Sequence, residues 1–283
     1  MTFEITLAVL LAALLHASWN AMIKGGSDVL LDTASIVTGA GLLGLPFLLI
    51  VPVPNAASWP YILASIATHL AYYFLMVNAY RTGELSLVYP LMRGVAPLIT
   101  AVLGILWLRE LPAPISWLGM LMISIGVIAL ALRPVGNTPV LAGHGRAVGF
   151  ALANAAVIAV YTTIDGTGAR LAGNPWSYIV WLFVLDAIPF SIYMLATRRR
   201  TFFTALAERR WHGLIGGGLS AAAYAISVWA MTKAPVALVA SLRETSVLFA
   251  TLIGARLLKE RLTPRRWAGV GAVVIGVVAL KAA

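Results

Sequence analysis

The chain of 283 residues contains no cysteine, and only 11% of its residues are charged. The absence of cysteine excludes disulfide bonds and thiolate metal sites, and it says little about the cellular compartment. The scarcity of charge argues against an ordinary soluble domain, in which about a quarter of the residues are charged. A glycine-rich loop of the Walker type is also missing, so the sequence lacks the nucleotide-binding module of an ATP-driven pump.

Apolar sequence is abundant instead: 61% of the residues are hydrophobic and the mean hydropathy is +0.92. Apolar stretches recur along the chain at the length of roughly 20 residues that a helix needs to cross a bilayer core. The short alternating pattern of a membrane β-barrel is absent. We therefore predict an all-α membrane protein with ten transmembrane helices, at residues 4–23, 29–51, 58–80, 85–108, 114–132, 146–164, 176–197, 211–232, 235–258 and 264–281.

Basic residues are distributed unevenly over the predicted loops. One side has few basic residues: Arg109, Arg170, Lys233 and Lys281. The positive-inside rule places the side that is richer in lysine and arginine in the cytoplasm, and both termini are then predicted to lie outside the cytoplasm. The net charge of +10 therefore indicates topology, and we expect no nucleic-acid partner. The richer side holds Lys24, Arg81, Arg133, Arg146, Arg198, Arg199, Arg200, Arg209, Arg210, Lys259, Arg261, Arg265 and Arg266.

The first predicted span could be confused with a signal peptide. It carries Glu4 and lacks a positively charged leading region, so we interpret it as a retained helix. The longest connections, at residues 133–146 and 198–210, are predicted to be loops, and neither is long enough for a soluble domain.

The two halves of the sequence match when one is shifted by 150 residues. At this shift arginine aligns with arginine and glutamate with glutamate in two long segments, LSLVYPLMRGVAPLITAVLGILWLRE (85–110) and PVALVASLRETSVLFATLIGARLLKE (235–260). Apolar composition alone does not align charges, glycines and tryptophans, so we infer a duplication with repeats in residues 1–140 and 141–283. Because each repeat has five predicted spans, an odd number, the two repeats are predicted to be inverted in the membrane. The matched positions include Arg93/Arg243, Leu98/Leu248, Gly104/Gly254, Leu108/Leu258, Glu110/Glu260, Pro114/Pro264, Trp117/Trp267, Gly119/Gly269, Gly126/Gly276 and Ala129/Ala279.

Each copy has a polar helix start, an apolar span that ends in L-x-E, and a final span marked by proline, tryptophan and glycines. This pattern resembles the EamA-type repeat of the drug/metabolite transporter superfamily, and ten spans in two sets of five extend the resemblance over the whole chain. The resemblance implies a secondary transporter. Such families include exporters of amino acids and other metabolites, carriers of sugar conjugates and flippases of lipid-linked sugars. In size and aromatic content the chain is most similar to bacterial amino-acid exporters.

Arg93 and Arg243 lie about nine residues into their predicted spans, or about 13 Å along a helix. Ionisable groups at this depth are costly, so they usually face a cavity or a partner. One interpretation is that one or both guanidinium groups bind a substrate carboxylate or phosphate through two parallel hydrogen bonds. The alternative is structural: Arg243 pairs with Glu244 or Asp186, or with the carbonyls of a broken helix.

Two further observations bear on this choice. Arg93 has no acidic residue among its immediate neighbours, and Tyr89 precedes it by one helical turn on the same face. Adjacent helical residues diverge by about 100°, so Arg243 and Glu244 are not expected to point together into one narrow cavity. Glu244 is a candidate for the substrate site or, alternatively, for proton coupling.

A stripe of polar aromatic residues follows one face of the third span, at His69, Tyr72, Tyr73, Met76 and Tyr80. Histidine and tyrosine tips require hydrogen-bond partners, which lipid does not supply. We interpret the stripe as a cavity wall for a zwitterionic or amphipathic solute. The alternatives are an interhelix bond for His69 and a position in the interfacial aromatic belt for Tyr80.

The first helix of each half supplies further candidates. Trp19 and Asn20 on span 1 and Tyr161 on span 6 are predicted to line the cavity. Asp165 lies nearer the end of its predicted span and is interpreted as a solvated cap. Asp186 lies well inside span 7 and needs a partner, in either a salt bridge or a proton relay.

Other functional classes fit less well. The four histidines lie on different segments without the spacing of a metal site, and no serine elbow precedes a helix, so we predict neither an enzyme nor a metal or cofactor. Channels more often surround a central pore with identical subunits, which internal inversion does not favour. The histidines are His16, His69, His144 and His212.

The sequence hypothesis is thus a carrier in the bacterial inner membrane that exports small amphipathic metabolites, foremost amino acids including aromatic ones. The alternative is a carrier or flippase for a phosphorylated, sugar-linked or drug-like solute. Its partners are expected to be the small-molecule substrate and membrane lipids, and the oligomeric state stays open. The predicted substrate site comprises Trp19, Asn20, His69, Tyr72, Tyr73, Tyr89, Arg93, Tyr161, Arg243 and Glu244.

Overall fold

The computed structural model describes residues 1–24, 28–83, 85–131, 145–257 and 264–282, and within these ranges the regular structure is helical. A π-helical turn at Gly104–Leu108 extends the fourth helix. Outside the described residues lie most of the predicted loop at 133–146, the end of the predicted ninth span at residue 258 and the predicted loop residues 259–261, with His144 and Glu260 among them. The α-helices are α1 Phe3–Lys24, α2 Val29–Gly44, α3 Trp59–Thr82, α4 Leu85–Leu103, α5 Pro114–Ala131, α6 Gly145–Leu171, α7 Pro175–Glu208, α8 Arg210–Met231, α9 Val236–Arg243, α10 Ser246–Leu257 and α11 Pro264–Ala282.

The prediction of an all-helical membrane protein is confirmed. Seven of the described helical segments, containing α1 to α4 and α6 to α8, are long and apolar enough to cross a membrane. The apolar helices Pro114–Leu130 and Trp267–Ala282, in α5 and α11, are shorter, and α9 and α10 divide the predicted ninth span between them. The number of ten crossings therefore stays a prediction.

The predicted loop at 198–210 is wrong, because most of it is helix. Helix α7 continues to Glu208 across one non-helical residue, Arg198, whose φ is −140° and ψ is 39°. The continuation buries Phe202 in a cluster with Ala34 and Phe190, so its apolar face has a partner that a solvated loop would not need.

The ninth span is interrupted at Glu244, directly after the last residue of α9. The backbone N–H of Glu244 donates to the carbonyl of Ser241, and that of Thr245 donates to the carbonyl of Leu242, both at 3.1 Å. These tighter turns end α9 before α10 begins at Ser246. Adjacent residues in such turns diverge by about 120°, so Arg243 and Glu244 still point in different directions, and they have different neighbours.

The two halves meet closely where α5 packs on α11. A β-carbon at Gly119 would lie 2.9 Å from the carbonyl oxygen of Gly276, and one at Gly126 would lie 2.8 Å from that of Gly269. These four glycines therefore allow the close approach of the two helices, as small residues do in lipid. Because the contacts run up one helix and down the other, α5 and α11 are antiparallel. Gly119 and Gly276 are the repeat counterparts of Gly269 and Gly126, so the two contacts are equivalent to each other. A two-fold axis that relates the two helices produces this equivalence.

In other helix pairs, too, the contacts of one repeat have counterparts in the contacts of the other. Helix α3 packs on α6 in the way that its counterpart α8 packs on α1, and α2 packs directly on its own counterpart α7. Each repeat thus completes its core with helices of the other repeat.

Ion pairs join the helices at both ends of the bundle. At one end Glu110 Oε1 lies 2.7 Å from Arg170 Nη1, and Glu110 Oε2 accepts from the backbone N–H of Val236 at 2.8 Å. Glu110 thereby satisfies a free N–H at the start of α9. At the opposite end two pairs link the start of α2 to the end of α7, Asp28 with Arg198 and Asp32 with Arg209.

Candidate functional site

The centre of the candidate site is an ion pair between the two repeats. Nε of Arg93 on α4 lies 2.8 Å from Oε2 of Glu244 at the break between α9 and α10, and the side chains are 5% and 4% exposed. Sequence proximity gave Arg93 no acidic partner, and the structure supplies one from the other half. Nη2 of Arg93 has no hydrogen-bond partner among the described residues, and the contact of Nε with Oε2 is an ionic one without the alignment of a hydrogen bond. The site therefore retains a buried donor beside a compensated charge.

Arg243 occupies the repeat-equivalent position but has different neighbours. Its Cζ lies 5.1 Å from the ring centroid of Tyr224 on α8, which is a cation–π distance. Its carboxylate neighbour in sequence, Glu244, pairs with Arg93 instead. The structural alternative in which Arg243 pairs with Glu244 or Asp186 is therefore wrong for this structure.

An aromatic wall, made of His69, Tyr72 and Tyr73 on α3 and Tyr161 on α6, lies beside these charges. The ring of His69 stacks on Tyr161 with centroids 4.3 Å apart, and Tyr72 meets Tyr161 edge to face at 5.8 Å. Tyr73 lies 5.3 Å from Tyr72. The three residues of α3 are half-buried, and their helix packs against α6 and α7.

The remaining predicted residues come from α1 and α4. Trp19 is half-buried and meets the ring of His16 edge to face at 5.0 Å, and its Nε1 has no partner among the described residues. Asn20 donates to the carbonyl of His16 on its own helix at 2.8 Å. Tyr89 is half-buried, and its hydroxyl likewise has no partner among the described residues.

The interpretation of Asp165 as a solvated cap is wrong. Asp165 is 0% exposed, and α6 continues past it to Leu171. The carboxylate accepts from the hydroxyl of Tyr178 at 2.7 Å and from the hydroxyl of Tyr224. The error followed from ending the predicted span at residue 164, seven residues before the helix ends.

Asp186 has a hydrogen-bond partner, as a carboxylate at this depth requires, but the partner is not a basic residue. Its Oδ2 accepts from the hydroxyl of Tyr73 at 3.2 Å, and its Oδ1 has no partner among the described residues. The predicted salt bridge is therefore not formed.

Sequence analysis missed Tyr224, which contacts three parts of the site. Its ring lies under Arg243, its hydroxyl donates to Asp165, and its edge faces His69 at a centroid distance of 5.8 Å. The signal available in the sequence was a single tyrosine within a run of small residues, GGGLSAAAYA (216–225). In the described part of the chain no group of three or more potential ligands is arranged to hold a metal ion.

Comparison with known proteins gives the family of the sequence. The sequence matches the EamA-like transporter family over residues 4–132 and again over residues 145–281. The chain belongs to the EamA-like transporter family. The two matched ranges give this EamA protein a two-repeat architecture, and with its apolar helices they make it a multi-pass membrane protein of a transporter family.

A curated relative represents a single unit of this kind. The chain is 27% identical over 107 residues to the probable 4-amino-4-deoxy-L-arabinose-phosphoundecaprenol flippase subunit ArnE of Escherichia coli O157:H7, and equally to that of strain EC4115. The match covers 96% of the relative and 36% of this EamA chain, so the relative is shorter than half of it.

The fold of the EamA chain also occurs in a protein of known crystal structure. The two superpose with a TM-score of 0.71 at 17% identity, over 98% of this chain and 94% of the other. At this identity the likeness concerns the fold alone.

Proposed function

We propose that this EamA protein is a secondary transporter that exports small amphipathic metabolites, above all amino acids including aromatic ones, across the inner membrane. The observation that carries the proposal is the buried pair of opposite charges between the repeats, Arg93 with Glu244, beside a half-buried aromatic wall.

An amino acid carries the same two charges as this pair. Its carboxylate can accept from the guanidinium of Arg93 while its ammonium group donates to Glu244, so one solute replaces both partners at once. The unpartnered Nη2 of Arg93 leaves a donor for the second carboxylate oxygen. Arg243, 6% exposed, adds a second buried cation nearby. These charges favour a solute with one anionic and one cationic group.

The aromatic wall suits the remainder of such a solute. His69, Tyr72 and Tyr161 combine aromatic rings with polar tips, and they lie in contact with one another. Pockets of this composition bind molecules with an apolar body and a few fixed polar groups. The wall therefore supports an amphipathic or aromatic solute over a small inorganic ion.

The position of the pair suits alternating access. Arg93 belongs to the first repeat, residues 1–140, and Glu244 to the second, residues 141–283. A solute that inserts between them breaks the direct link between the repeats and makes one contact with each. In the proposal, two inverted units of five helices exchange conformations around this site, with ten crossings and both termini outside the cytoplasm.

The similarity to ArnE favours a second candidate, a carrier or flippase for a phosphorylated, sugar-linked or drug-like solute. By its name, that relative belongs to a flippase of a lipid-linked amino sugar with a phosphate. An amino group and a phosphate match Glu244 and Arg93 as an amino acid does, so competition experiments must separate the two.

Counterflow tests the proposal directly. Proteoliposomes preloaded with unlabelled phenylalanine should transiently accumulate external labelled phenylalanine, and Arg93→Ala should abolish the accumulation. Gly271→Ala is the matched control, because a β-carbon there meets nothing within 4 Å. Phenethylamine, which lacks the carboxylate, and phenylpropionate, which lacks the ammonium group, should compete less well than phenylalanine.

Two outcomes would overturn the proposal. Equilibration without transient accumulation would indicate a channel. Failure of every standard amino acid, with counterflow or binding of an amino-sugar phosphate, would favour the second candidate.

A further inference from the structure

Asp165 is a buried carboxylate that forms no ion pair within 4 Å among the described residues. It is 0% exposed on α6 and accepts from the hydroxyls of Tyr178 on α7 and Tyr224 on α8. The ion pairs formed by the described acidic residues involve Glu110, Glu244, Asp28 and Asp32, and not Asp165.

The groups that face Asp165 come from every helix around it. Helix α3 brings Ser65 and His69, α7 brings Tyr178 and Asp186, and α8 brings Tyr224. Arg243 lies over the ring of Tyr224, whose hydroxyl donates to the carboxylate. The surroundings thus supply hydroxyl donors and the imidazole of His69, and no arginine or lysine of the described residues forms an ion pair with the carboxylate.

An ionised carboxylate in such a place is costly, because hydrocarbon and protein replace the water that would solvate its charge. Its charge must be compensated by a proton or by a small cation. Both tyrosine hydroxyls donate toward the carboxylate, a geometry that suits an anion able to take up a proton better than a shell of oxygens around a metal ion.

The carboxylate is also linked to the candidate solute site. Tyr224 donates to Asp165 through its hydroxyl and carries Arg243 on its ring face. The same ring contacts His69 and Tyr161 of the aromatic wall, with centroids 5.8 and 6.2 Å away. A change of charge at Asp165 therefore acts on the hydroxyl of Tyr224 and on the field at Arg243.

From this geometry we propose that Asp165 is a proton-binding site, and that Tyr224 links its occupancy to solute binding at Arg243. A proton from solvent binds a carboxylate oxygen of Asp165 in one part of the transport cycle and leaves it in another. The coupling rests on the proposed transport function, whereas the proton site itself does not.

The experiment separates proton movement from solute exchange. In proteoliposomes containing a trapped pH dye, a phenylalanine gradient should drive a pH change with the wild-type protein. Asp165→Asn should reduce that change at least about tenfold while retaining phenylalanine counterflow, which needs no net proton movement. The sign of the pH change tells whether the proton travels with the solute or against it.

Two variants define the route. Tyr224→Phe removes the link and should weaken the coupled pH change, whereas Tyr178→Phe removes one donor outside the link and should preserve it. Asp186→Asn is the matched control, since this second buried carboxylate bonds to Tyr73 instead. Should Asp165→Asn fail to fold, infrared spectra of the wild-type and Tyr224→Phe proteins at varied pH still detect a protonated buried carboxyl group.

Three results would overturn the proton site. They are an unchanged pH signal in a folded Asp165→Asn protein, loss of the signal in Asp186→Asn alone, and a signal that requires sodium. Absence of counterflow in the wild-type protein would refute the proposed function instead, and the infrared band would still test the proton site.

Discussion

Arg93 and Arg243 occupy the same position in the two repeats, yet their surroundings differ. Arg93 lies on a helix that continues through Gly94, where a β-carbon would come within 2.8 Å of Ile128 Cγ1 on α5. Arg243 ends α9, and the residue after it is Glu244, the counterpart of Gly94. Glycine in one copy allows close helix packing, and glutamate in the other provides the only acid that pairs with either arginine in the described ranges.

Two repeats of related sequence thus form a site in which the two matched arginines have different partners. The shared arginine places a positive charge near the centre of each half, while the divergent next residue gives one acid that crosses to the opposite half. Arg93 consequently forms an ion pair with Glu244, whereas Arg243 makes a cation–π contact with Tyr224. The substitutions below test this difference between the two copies.

The largest effect is expected from Arg93→Ala. Removing one partner of a buried ion pair leaves Glu244 uncompensated, and such losses cost about 3–5 kcal/mol of unfolding free energy. Transport should fall at least about tenfold. Thermal or denaturant unfolding in detergent measures the first effect, and counterflow measures the second.

The double variant Arg93→Ala/Glu244→Ala separates the two roles. Without either charge, most of the stability should return, whereas transport should not. Recovery of transport in the double variant would contradict the role of the pair in solute binding.

A smaller loss is expected where the two repeats touch through glycine. Gly126→Ala places a β-carbon 2.8 Å from the carbonyl oxygen of Gly269 and 2.7 Å from Val273 Cγ2, so overpacking should cost about 1–3 kcal/mol. Gly271→Ala on the same packed pair of helices meets nothing within 4 Å and should be neutral or slightly stabilising. Equal unfolding temperatures for the two variants would speak against the antiparallel contact.

Arg243→Ala should destabilise the protein less than Arg93→Ala does. Its cation–π contact with Tyr224 is worth about 0.5–2 kcal/mol, and its removal leaves no carboxylate without its partner. Solute affinity, measured by the concentration dependence of counterflow, should still weaken because a buried cation is lost. A stability loss as large as that of Arg93→Ala would remove the distinction between the two copies.

The smallest loss of unfolding free energy is expected at the end of the bundle where Glu110 lies. Glu110→Gln removes the charge that faces Arg170 but keeps an oxygen for the N–H of Val236, so the expected cost is about 1 kcal/mol. The repeat counterpart of Arg170 is Asn20, which bonds only within its own helix among the described contacts. Asn20→Ala should therefore cost less than Glu110→Gln in the same unfolding measurement.

Prediction from sequence succeeded where a local pattern has one physical solution. An apolar run of roughly 20 residues must be helical in a bilayer, because every backbone group has to be satisfied within the segment. The boundaries of α1, α4 and α11 accordingly lie within one residue of the predicted spans, apart from the π-helical turn that completes the fourth. The glycines of α5 and α11 were likewise recognisable, because close packing of helices in lipid selects small residues.

Prediction failed where a residue depends on partners far away in the sequence. Asp165 was assigned to solvent because the predicted span ended at residue 164, whereas in the structure Tyr178 and Tyr224 satisfy it across helices. The break after Arg243 escaped notice because VALVASLRETSVLFATL has the composition of a continuous span. Tyr224 was overlooked because a lone tyrosine in a small-residue run carries no periodicity.

By itself, the sequence determined that the chain is helical, that it enters a membrane and that it is built from two related halves. Those properties follow from hydropathy and internal repetition, which act at every position and need no knowledge of contacts. The tertiary structure alone decided that Glu244 pairs with Arg93 rather than with its neighbour, and that Asp165 meets two tyrosines. The physical reason is that a buried charge takes whichever partner the packing of helices brings within a few ångströms, and separation along the chain does not limit that choice.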